Sequence, residues 1–300
     1  MSRIHEALKK AEQERAISQP GSRVETTPAA VEVAEAATLA VPALGAAPAR
    51  SFSVDSVLSH SRKTQWAPDS NCMLFFSSEE HAAGMEEFRT LRSRLYQARE
   101  KQPLSKILVT SALPKEGKSF TAANLAQVLA RQHGRRVLLI DGDLRNPQLH
   151  TLLGTERAPG LFEYLRAEAD EFSIIQSGPL ENLFFIPAGQ YSANPAELLA
   201  NGRLRNLLSR LEASFDWVVV DSAPAVPVAD SVLMANHCDG VLFVVRSNST
   251  PTDAARRLRQ EFSEHRVIGV VLNGVTPELS PYMQYYYASY GGNGKAESKN

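Results

Sequence analysis

The segment SALPKEGKS at residues 111–119 is the most informative part of the sequence. It follows the apolar run Ile107-Leu108-Val109 and precedes the helix-forming run TAANLA at 121–126. Its pattern, A-x-x-x-x-G-K-S, is that of a phosphate-binding loop, with Ala112 where such loops usually have glycine. Backbone N–H groups of such a loop, together with the positive end of the following helix, bind phosphate oxygens. The strand before it and the helix after it favour this interpretation over a chance G-K-S in an ordinary turn.

Individual loop residues have distinct expected roles toward a nucleotide. Gly117 permits close approach of the backbone, Lys118 meets the β- and γ-phosphates, and the Ser119 hydroxyl binds Mg²⁺. The predicted cofactor-binding residues of the loop are Pro114, Lys115, Glu116, Gly117, Lys118, Ser119 and Phe120.

Short apolar runs alternate with helical patterns around this loop. Such runs are typical of strands that are buried on both faces. The alternation therefore predicts an α/β fold of the P-loop NTPase type, whose mainly parallel sheet has helices on both faces. Ligands bind such sheets beyond the carboxyl ends of the strands, where the loop lies. Strands are predicted at 106–110, 136–140, 183–186, 217–220, 241–245 and 267–272, and helices at 79–99, from the loop to 132, and at 160–166, 195–200, 203–213, 228–236 and 252–264.

Aspartates follow two of these strands. Asp141 and Asp143 come directly after the strand at 136–140, and Asp221 closes the valine run at 218–220. An aspartate in this position is typical of a Walker B carboxylate, which binds Mg²⁺ directly or through water. Each could instead cap the following turn, but three such residues beside a phosphate-binding loop favour the functional interpretation. The predicted metal site is Ser119, Asp141, Asp143 and Asp221, and the predicted catalytic residues are Lys118 and the same three aspartates.

Composition narrows the class of protein. The 300 residues are 43% hydrophobic and 22% charged, which is typical of a soluble globular chain. The net charge of −1 does not indicate nucleic acid as a partner. Cys72 and Cys238 stand far apart, which fits a reducing compartment. No apolar run reaches about 18 residues and the first residues are too polar for a signal peptide, so we expect a cytoplasmic protein.

Four segments are predicted along the chain. Residues 1–17 form a short amphipathic helix, and residues 18–74 form a flexible linker rich in alanine and proline, although 51–75 read as ambiguous. The P-loop domain occupies 75–276. Residues 277–300 form a flexible tail that holds five of the eight tyrosines, namely Tyr282, Tyr285, Tyr286, Tyr287 and Tyr290.

The segment from about 85 to 290 resembles the cytoplasmic catalytic domain of the bacterial tyrosine kinases of capsule and exopolysaccharide synthesis. These P-loop enzymes are related to the septum- and chromosome-positioning ATPases. The segment SALPKEGKS corresponds to the family's Walker A motif, VLLIDGDLRNPQLH at 137–150 to its second Walker A-like motif, and FDWVVVDSAP at 215–224 to Walker B. Glu86, Arg89 and Arg92 match its oligomerisation helix, and the tyrosine cluster matches its autophosphorylated tail.

The resemblance implies an ATP-dependent protein-tyrosine autokinase with ATP and Mg²⁺ as cofactors. Lys118 and Ser119 would bind phosphate and metal, Asp141 and Asp143 would position the metal and the attacking phenol, and Asp221 would complete the metal shell. Which of Asp141 and Asp143 accepts the proton stays open. Asn273 would lie beside adenine, and the five tail tyrosines would be the phosphoacceptors. The departures from the family pattern are Ala112, Lys115 in place of glycine, and Ser-Ala-Pro in place of Thr-Pro-Pro after Walker B.

The resemblance also implies partners. The chain would form a homo-oligomeric ring through Glu86, Arg89 and Arg92, although a solvated face with an intrahelical ion pair is the alternative. A separate membrane-bound activator would recruit it to the inner face of the cell membrane, and a cognate tyrosine phosphatase would reverse its modification.

A different class of function fits part of the pattern. A positioning or partition ATPase would use the same loop as a switch, without a protein substrate. Such proteins have a signature lysine five residues before the loop lysine, where this chain has Leu113. A weakly catalytic adaptor of polysaccharide export is a third possibility. The tyrosine tail and the helix with Glu86, Arg89 and Arg92 favour the kinase over the positioning ATPase. The intact Lys118, Asp141, Asp143 and Asp221 favour it over the adaptor.

Overall fold

The computed structural model describes residues 54–70, 72–76, 84–191 and 194–275. The strands are β1 (Arg62–Lys63), β2 (Lys106–Ser111), β3 (Val137–Asp141), β4 (Gln176–Ser177), β5 (Leu183–Ile186), β6 (Trp217–Asp221), β7 (Gly240–Arg246) and β8 (Val267–Asn273). The helices are α1 (Val54–His60), α2 (Met85–Lys101), α3 (Lys118–Ala130), α4 (Leu149–Leu153), α5 (Leu161–Leu165), α6 (Glu171–Ile174), α7 (Pro195–Ala200), α8 (Arg203–Glu212), α9 (Asp230–Ala235) and α10 (Thr252–Glu261).

One sheet contains all eight of these strands in the order β1-β4-β5-β3-β6-β2-β7-β8. Every neighbouring pair is parallel except β4 with β5. The carboxyl ends of β2, β3, β6, β7 and β8 therefore meet at one edge, where a ligand would bind. The predicted α/β fold with a mainly parallel sheet is confirmed.

Helices cover both faces of the sheet. Successive side chains of a strand point to opposite faces. Ile107 and Val109 of β2 belong to a cluster with α2 and α3, whereas Leu108 belongs to a second cluster with α8 and α9. Strands such as β2 and β3 are buried along their whole length. This double burial explains why the strands appear in the sequence as continuous apolar runs.

The predicted flexible linker at 18–74 is wrong for its last part. Arg62 and Lys63 form β1 and pair with Gln176 and Ser177. Val57 and Met73 are buried, and the Leu74 N–H donates to Asn124 Oδ1 at 3.0 Å. The segment contains helix α1 and the two-residue strand β1. Elements this short show no clear period, and the sequence alone leaves residues 51–75 ambiguous.

The other segment predictions fall partly beyond the described ranges. Residues 1–53 and 276–300 lie outside them, so the N-terminal helix and the tail stay predictions. In the described ranges, no helix is long and apolar enough to cross a membrane.

Candidate active site

The phosphate-binding loop connects β2 to α3, as predicted. Lys115 and Gly117 have positive φ angles of 67° and 96°. A Cβ at Gly117 would lie only 1.9 Å from Asn273 Nδ2, so this position requires glycine. Lys115 stands where related loops have glycine. Its backbone is left-handed, a conformation that glycine adopts without strain, which explains why glycine is usual at this position. Ala112 is fully buried, and its carbonyl accepts from the Val226 N–H at 3.2 Å, so alanine fits at the first position of the motif.

Lys118 is the first residue of α3 and lies among the three predicted aspartates. Its Nζ is 2.9 Å from Asp143 Oδ2 and 3.4 Å from Ser119 Oγ. Burial alone would lower the pKa of Lys118, but the carboxylates of Asp221, Asp143 and Asp141 raise it overall. Lys118 is therefore positively charged, and its ammonium group forms an ion pair with the Asp143 carboxylate.

Asp141 and Asp221 are register partners at the carboxyl ends of β3 and β6, and both are fully buried. Asp141 Oδ1 accepts from the Asp143 N–H at 3.3 Å, and Oδ2 accepts from the Leu149 N–H at 3.0 Å. Burial and the adjacent charge of Asp221 raise the pKa of Asp141 well above its usual value. Asp141 therefore holds the loop after β3 as well as lining the site.

Asp221 differs from Asp141 and Asp143 in its hydrogen bonding. Neither of its oxygens accepts a hydrogen bond from the part of the chain that the structure describes. Burial raises the pKa of Asp221 to about 6, although the Lys118 ammonium and the nearby Ser119 hydroxyl oppose the increase. A buried carboxylate without a partner costs free energy unless a cation satisfies it. Asp221 and Ser119 therefore fit a bound Mg²⁺, which prefers one or two protein oxygens together with water and phosphate.

The predicted metal set is only partly free to bind a cation. Across the described ranges, no group of three or more His, Cys, Asp or Glu side chains could hold a metal ion by itself. Asp143 is paired with Lys118, and Asp141 accepts from backbone N–H groups. The structure thus brings Ser119, Asp141, Asp143 and Asp221 together around Lys118. Metal ligation by Asp141 and Asp143 stays a prediction.

Gly142 fixes the spacing between the two aspartates that follow β3. Its N–H donates to the Asp221 carbonyl at 2.9 Å. A Cβ at this position would lie 2.5 Å from that oxygen and 2.8 Å from Met234 Sδ. A side chain has no room here, so the D-G-D sequence lets the loop after β3 pass directly over β6.

The other predicted nucleotide contacts differ in where their side chains lie. Pro114 is exposed, whereas Phe120 packs against Phe88 with ring centroids 5.9 Å apart. Asn273 Nδ2 donates to the Glu116 carbonyl at 3.0 Å, so this amide lies on the loop backbone. The Glu116 side chain is buried in the protein. Contacts of these side chains with a nucleotide stay predictions.

Sequence reasoning missed a charged pair beside the site. Arg145 Nε and Nη2 lie 2.6 and 3.0 Å from the carboxylate oxygens of Asp230, which is buried at the start of α9. Asp143 Oδ1 accepts from the Asn146 N–H at 2.9 Å, so the loop after β3 is fixed on both sides of Leu144. The paired residues are 85 positions apart, and no motif spacing connects them.

The predicted oligomerisation residues lie at the start of α2. Arg89 pairs with Glu86 within the helix, and Arg92 Nη1 donates to the Val128 carbonyl of α3 at 3.1 Å. These contacts agree with the alternative of an intrahelical pair, while a subunit contact stays a prediction. The five tail tyrosines lie outside the described residues.

The chain matches the family model of the CobQ/CobB/MinD/ParA nucleotide binding domain over residues 107–287. It is 34% identical over 212 residues to the tyrosine-protein kinase YwqD of Bacillus subtilis, covering 70% of this chain and 88% of that one. It is 38% identical over 187 residues to the succinoglycan biosynthesis transport protein ExoP of Rhizobium meliloti, covering 60% of this chain but only 23% of ExoP.

Solved structures give the same result. The kinase domain of the Escherichia coli tyrosine kinase ETK superposes with a TM-score of 0.62 and 32% identity, over 67% of this chain and 80% of that one. The chimerical protein CapA2B2 superposes with a TM-score of 0.65 and 28% identity, over 74% of this chain and 97% of that one.

Proposed function

Because this chain belongs to the CobQ/CobB/MinD/ParA nucleotide-binding family and, within it, to the bacterial tyrosine kinases, we propose that it is an ATP-dependent protein-tyrosine autokinase. Its substrate is its own tail, at Tyr282, Tyr285, Tyr286, Tyr287 and Tyr290. Through that modification it regulates the polymerisation and export of a capsular or extracellular polysaccharide.

The partnerless carboxylate of Asp221, beside Lys118 and Ser119, carries this proposal. A fold that needed Asp221 only for structure would give a buried carboxylate hydrogen-bond donors. Here neither oxygen of Asp221 makes a hydrogen bond with the described residues, and the phosphate-binding lysine and the Ser119 hydroxyl lie beside it. Ser119 and Asp221 would hold Mg²⁺, which would help to neutralise the charge on the phosphates of ATP during transfer.

Lys118 and Asp143 then act on the two substrates. The Lys118 ammonium group leaves the Asp143 carboxylate and binds a phosphate oxygen of ATP, because the triphosphate carries more negative charge than one carboxylate. Asp143, released from its ion pair, orients the tyrosine hydroxyl and accepts its proton as the phenolic oxygen bonds to the γ-phosphorus and the bond to the β-phosphate oxygen breaks. Positioning of the tyrosine hydroxyl against the γ-phosphate accelerates the reaction more than the base strength of Asp143 does, since phosphoryl transfer proceeds through a loose transition state.

The tail reaches the site of a neighbouring chain. From Gly274 to Tyr285 an extended backbone spans about 35–40 Å. Each phosphate adds about −1.5 to −2 charges, so five give roughly −7 to −10 and make the tails repel one another. Chains assembled in a ring through Glu86, Arg89 and Arg92 would modify one another's tails and then separate. This assembly requires Arg89 and Arg92 to leave their present intrachain partners.

Other proteins complete the cycle that we propose. A membrane-bound activator recruits the chain to the inner face of the cell membrane and stabilises the nucleotide site. A cognate tyrosine phosphatase restores the unmodified tail.

Intact mass spectrometry tests the proposal. The chain and Lys118→Met are incubated with ATP, Mg²⁺ and the cytoplasmic segments of candidate membrane partners, and the phosphates are then mapped. The proposal predicts a ladder of phosphates at Tyr282–Tyr290 that is absent from the variant. ATP hydrolysis with an unmodified tail under the same conditions would identify a positioning ATPase instead.

A further inference from the structure

Four side chains, which we call the clasp, join the phosphate-binding loop to the ends of β7 and β8. They are Glu116, Arg246, Thr250 and Asn273. Glu116 Oε2 accepts from the Leu113 N–H at 2.9 Å, and Oε1 accepts from the Thr250 hydroxyl. The Thr250 oxygen in turn accepts from the Arg246 N–H at 2.8 Å. One buried carboxylate thus connects the start of the phosphate-binding loop with the turn after β7.

Two further contacts close the clasp around the same loop. Arg246 Nη1 donates to the Lys115 carbonyl at 3.2 Å, and Asn273 Nδ2 donates to the Glu116 carbonyl at 3.0 Å. The Ser247 N–H donates to the Asn273 carbonyl at 2.8 Å, so the turn after β7 and the end of β8 are themselves joined. The loop backbone therefore makes hydrogen bonds at three positions, namely Leu113, Lys115 and Glu116, and none of these bonds involves Lys118.

The backbone conformation of the loop explains why it needs support. Lys115 has a φ of 67°, a conformation that residues with side chains rarely adopt. The loop nevertheless must keep its N–H groups directed at phosphate. Arg246 binds the carbonyl of the strained residue itself, and Glu116 binds the residue that begins the turn. Without these contacts Lys115 would relax to negative φ and turn the adjacent peptide groups away from the ligand.

The burial of Glu116 indicates that its side chain contacts protein groups and not solvent. Glu116 is only 3% exposed. A carboxylate buried to this extent is stable only with donors, and the Leu113 N–H and the Thr250 hydroxyl supply them. The Glu116 carboxylate therefore accepts from protein donors in the loop and in the turn after β7.

We propose that Glu116 and Thr250 are positioning residues of the phosphate-binding loop, and that the turn after β7 sets the affinity of the site for nucleotide. This inference rests on the proposed function only in requiring that the loop binds a nucleotide. It does not depend on whether the tail is a substrate.

The test measures binding of Mg-ADP to the full chain by isothermal titration calorimetry. Thr250→Val keeps the shape of the side chain but removes the hydroxyl, and Thr250→Ser restores it. Thr252→Val is the matched control, because Thr252 is exposed at the first residue of α10, two positions further along. Loss of a hydrogen bond to a charged group predicts a Kd about tenfold higher for Thr250→Val. Thr250→Ser and Thr252→Val should stay within about twofold of the wild type.

A second variant separates positioning from general stability. Glu116→Gln alone and combined with Thr250→Val complete a double-mutant cycle. The combined variant should weaken binding little more than either single variant, because both changes break one contact. Fully additive losses, unchanged affinity in Thr250→Val, or failure of Thr250→Ser to restore it would each overturn the inference. So would a wild-type chain that binds no Mg-ADP. Phosphorylation of the tail is scored separately, so an unmodified tail with normal Mg-ADP binding counts against the proposed function alone.

Discussion

Replacing Asp221 with asparagine should stabilise the folded chain at neutral and higher pH while removing a ligand of the proposed metal. The residue is fully buried, its two oxygens find no hydrogen-bond donor among the described residues, and Asp141 lies next to it in the sheet. Asparagine has nearly the same shape and no charge. The change therefore removes the charge of the ionised carboxylate, together with its effect on the pKa of Asp141 and of Lys118.

The cost of the ionised carboxylate follows from its pKa. Folding raises the pKa of Asp221 from 3.8 to about 6, so the folded chain keeps this proton to higher pH than the unfolded chain does. The ionised group consequently destabilises the fold, by an amount that grows as pH rises through this interval and is complete above about pH 7. At about 1.36 kcal/mol per pK unit, the cost is about 2 kcal/mol at pH 5 and about 3 kcal/mol at pH 8. Asparagine does not titrate, so the stability of Asp221→Asn relative to wild type should increase by about 1 kcal/mol from pH 5 to pH 8.

Urea denaturation of both proteins at pH 5, 6, 7 and 8, with EDTA and without nucleotide, measures this difference. Mg-ADP should then raise the unfolding midpoint of the wild type much more than that of the variant, because ligands stabilise only the state that binds them. Stability curves that run parallel from pH 5 to 8 would refute the electrostatic reasoning. Equal stabilisation of both proteins by Mg-ADP would refute the metal role.

Two further substitutions test the packing around the site. Gly142→Ala should lower the free energy of unfolding by about 1–3 kcal/mol in urea denaturation, because the new Cβ would lie 2.5 Å from the Asp221 carbonyl oxygen. An unchanged midpoint would show that the loop after β3 has room to move. Met73→Ala should lower the free energy of unfolding by about 2–5 kcal/mol, since Met73 is fully buried although the sequence predicts a linker there. A change near zero would show that residues 72–76 do not belong to the folded domain.

The sequence predicts the sheet and the centre of the site well because both depend on local patterns. Continuous apolar runs identified the six longer strands, and the loop motif placed Lys118 and Ser119 at the start of a helix. Asp141 and Asp221 could be expected to meet because each closes a parallel strand. Their pairing in register confirms that expectation.

What the sequence missed depends on contacts between distant segments. The two-residue strands β1 and β4 are too short to show a period, and they exist because Arg62 and Gln176 pair across the chain. The Arg145–Asp230 pair and the contact of Glu116 with Thr250 each connect residues that no motif relates. The sequence also predicts that Glu116 and Phe120 contact the nucleotide, and this stays a prediction. The contacts of the Glu116 carboxylate with protein donors and of Phe120 with Phe88 join distant segments, so no local pattern indicates them.

If the site of one chain phosphorylates the tail of another, a mixing experiment should detect the transfer. A chain that ends at residue 276 supplies an intact site without a tail, and Lys118→Met supplies a tail without an active loop. With Mg-ATP and the activator segment, we predict phosphate on Tyr282–Tyr290 of Lys118→Met in the mixture, and none when either protein is incubated alone. A mixture that converts ATP to ADP while the Lys118→Met tail stays unmodified, under conditions where the full chain phosphorylates itself, would contradict transfer between chains.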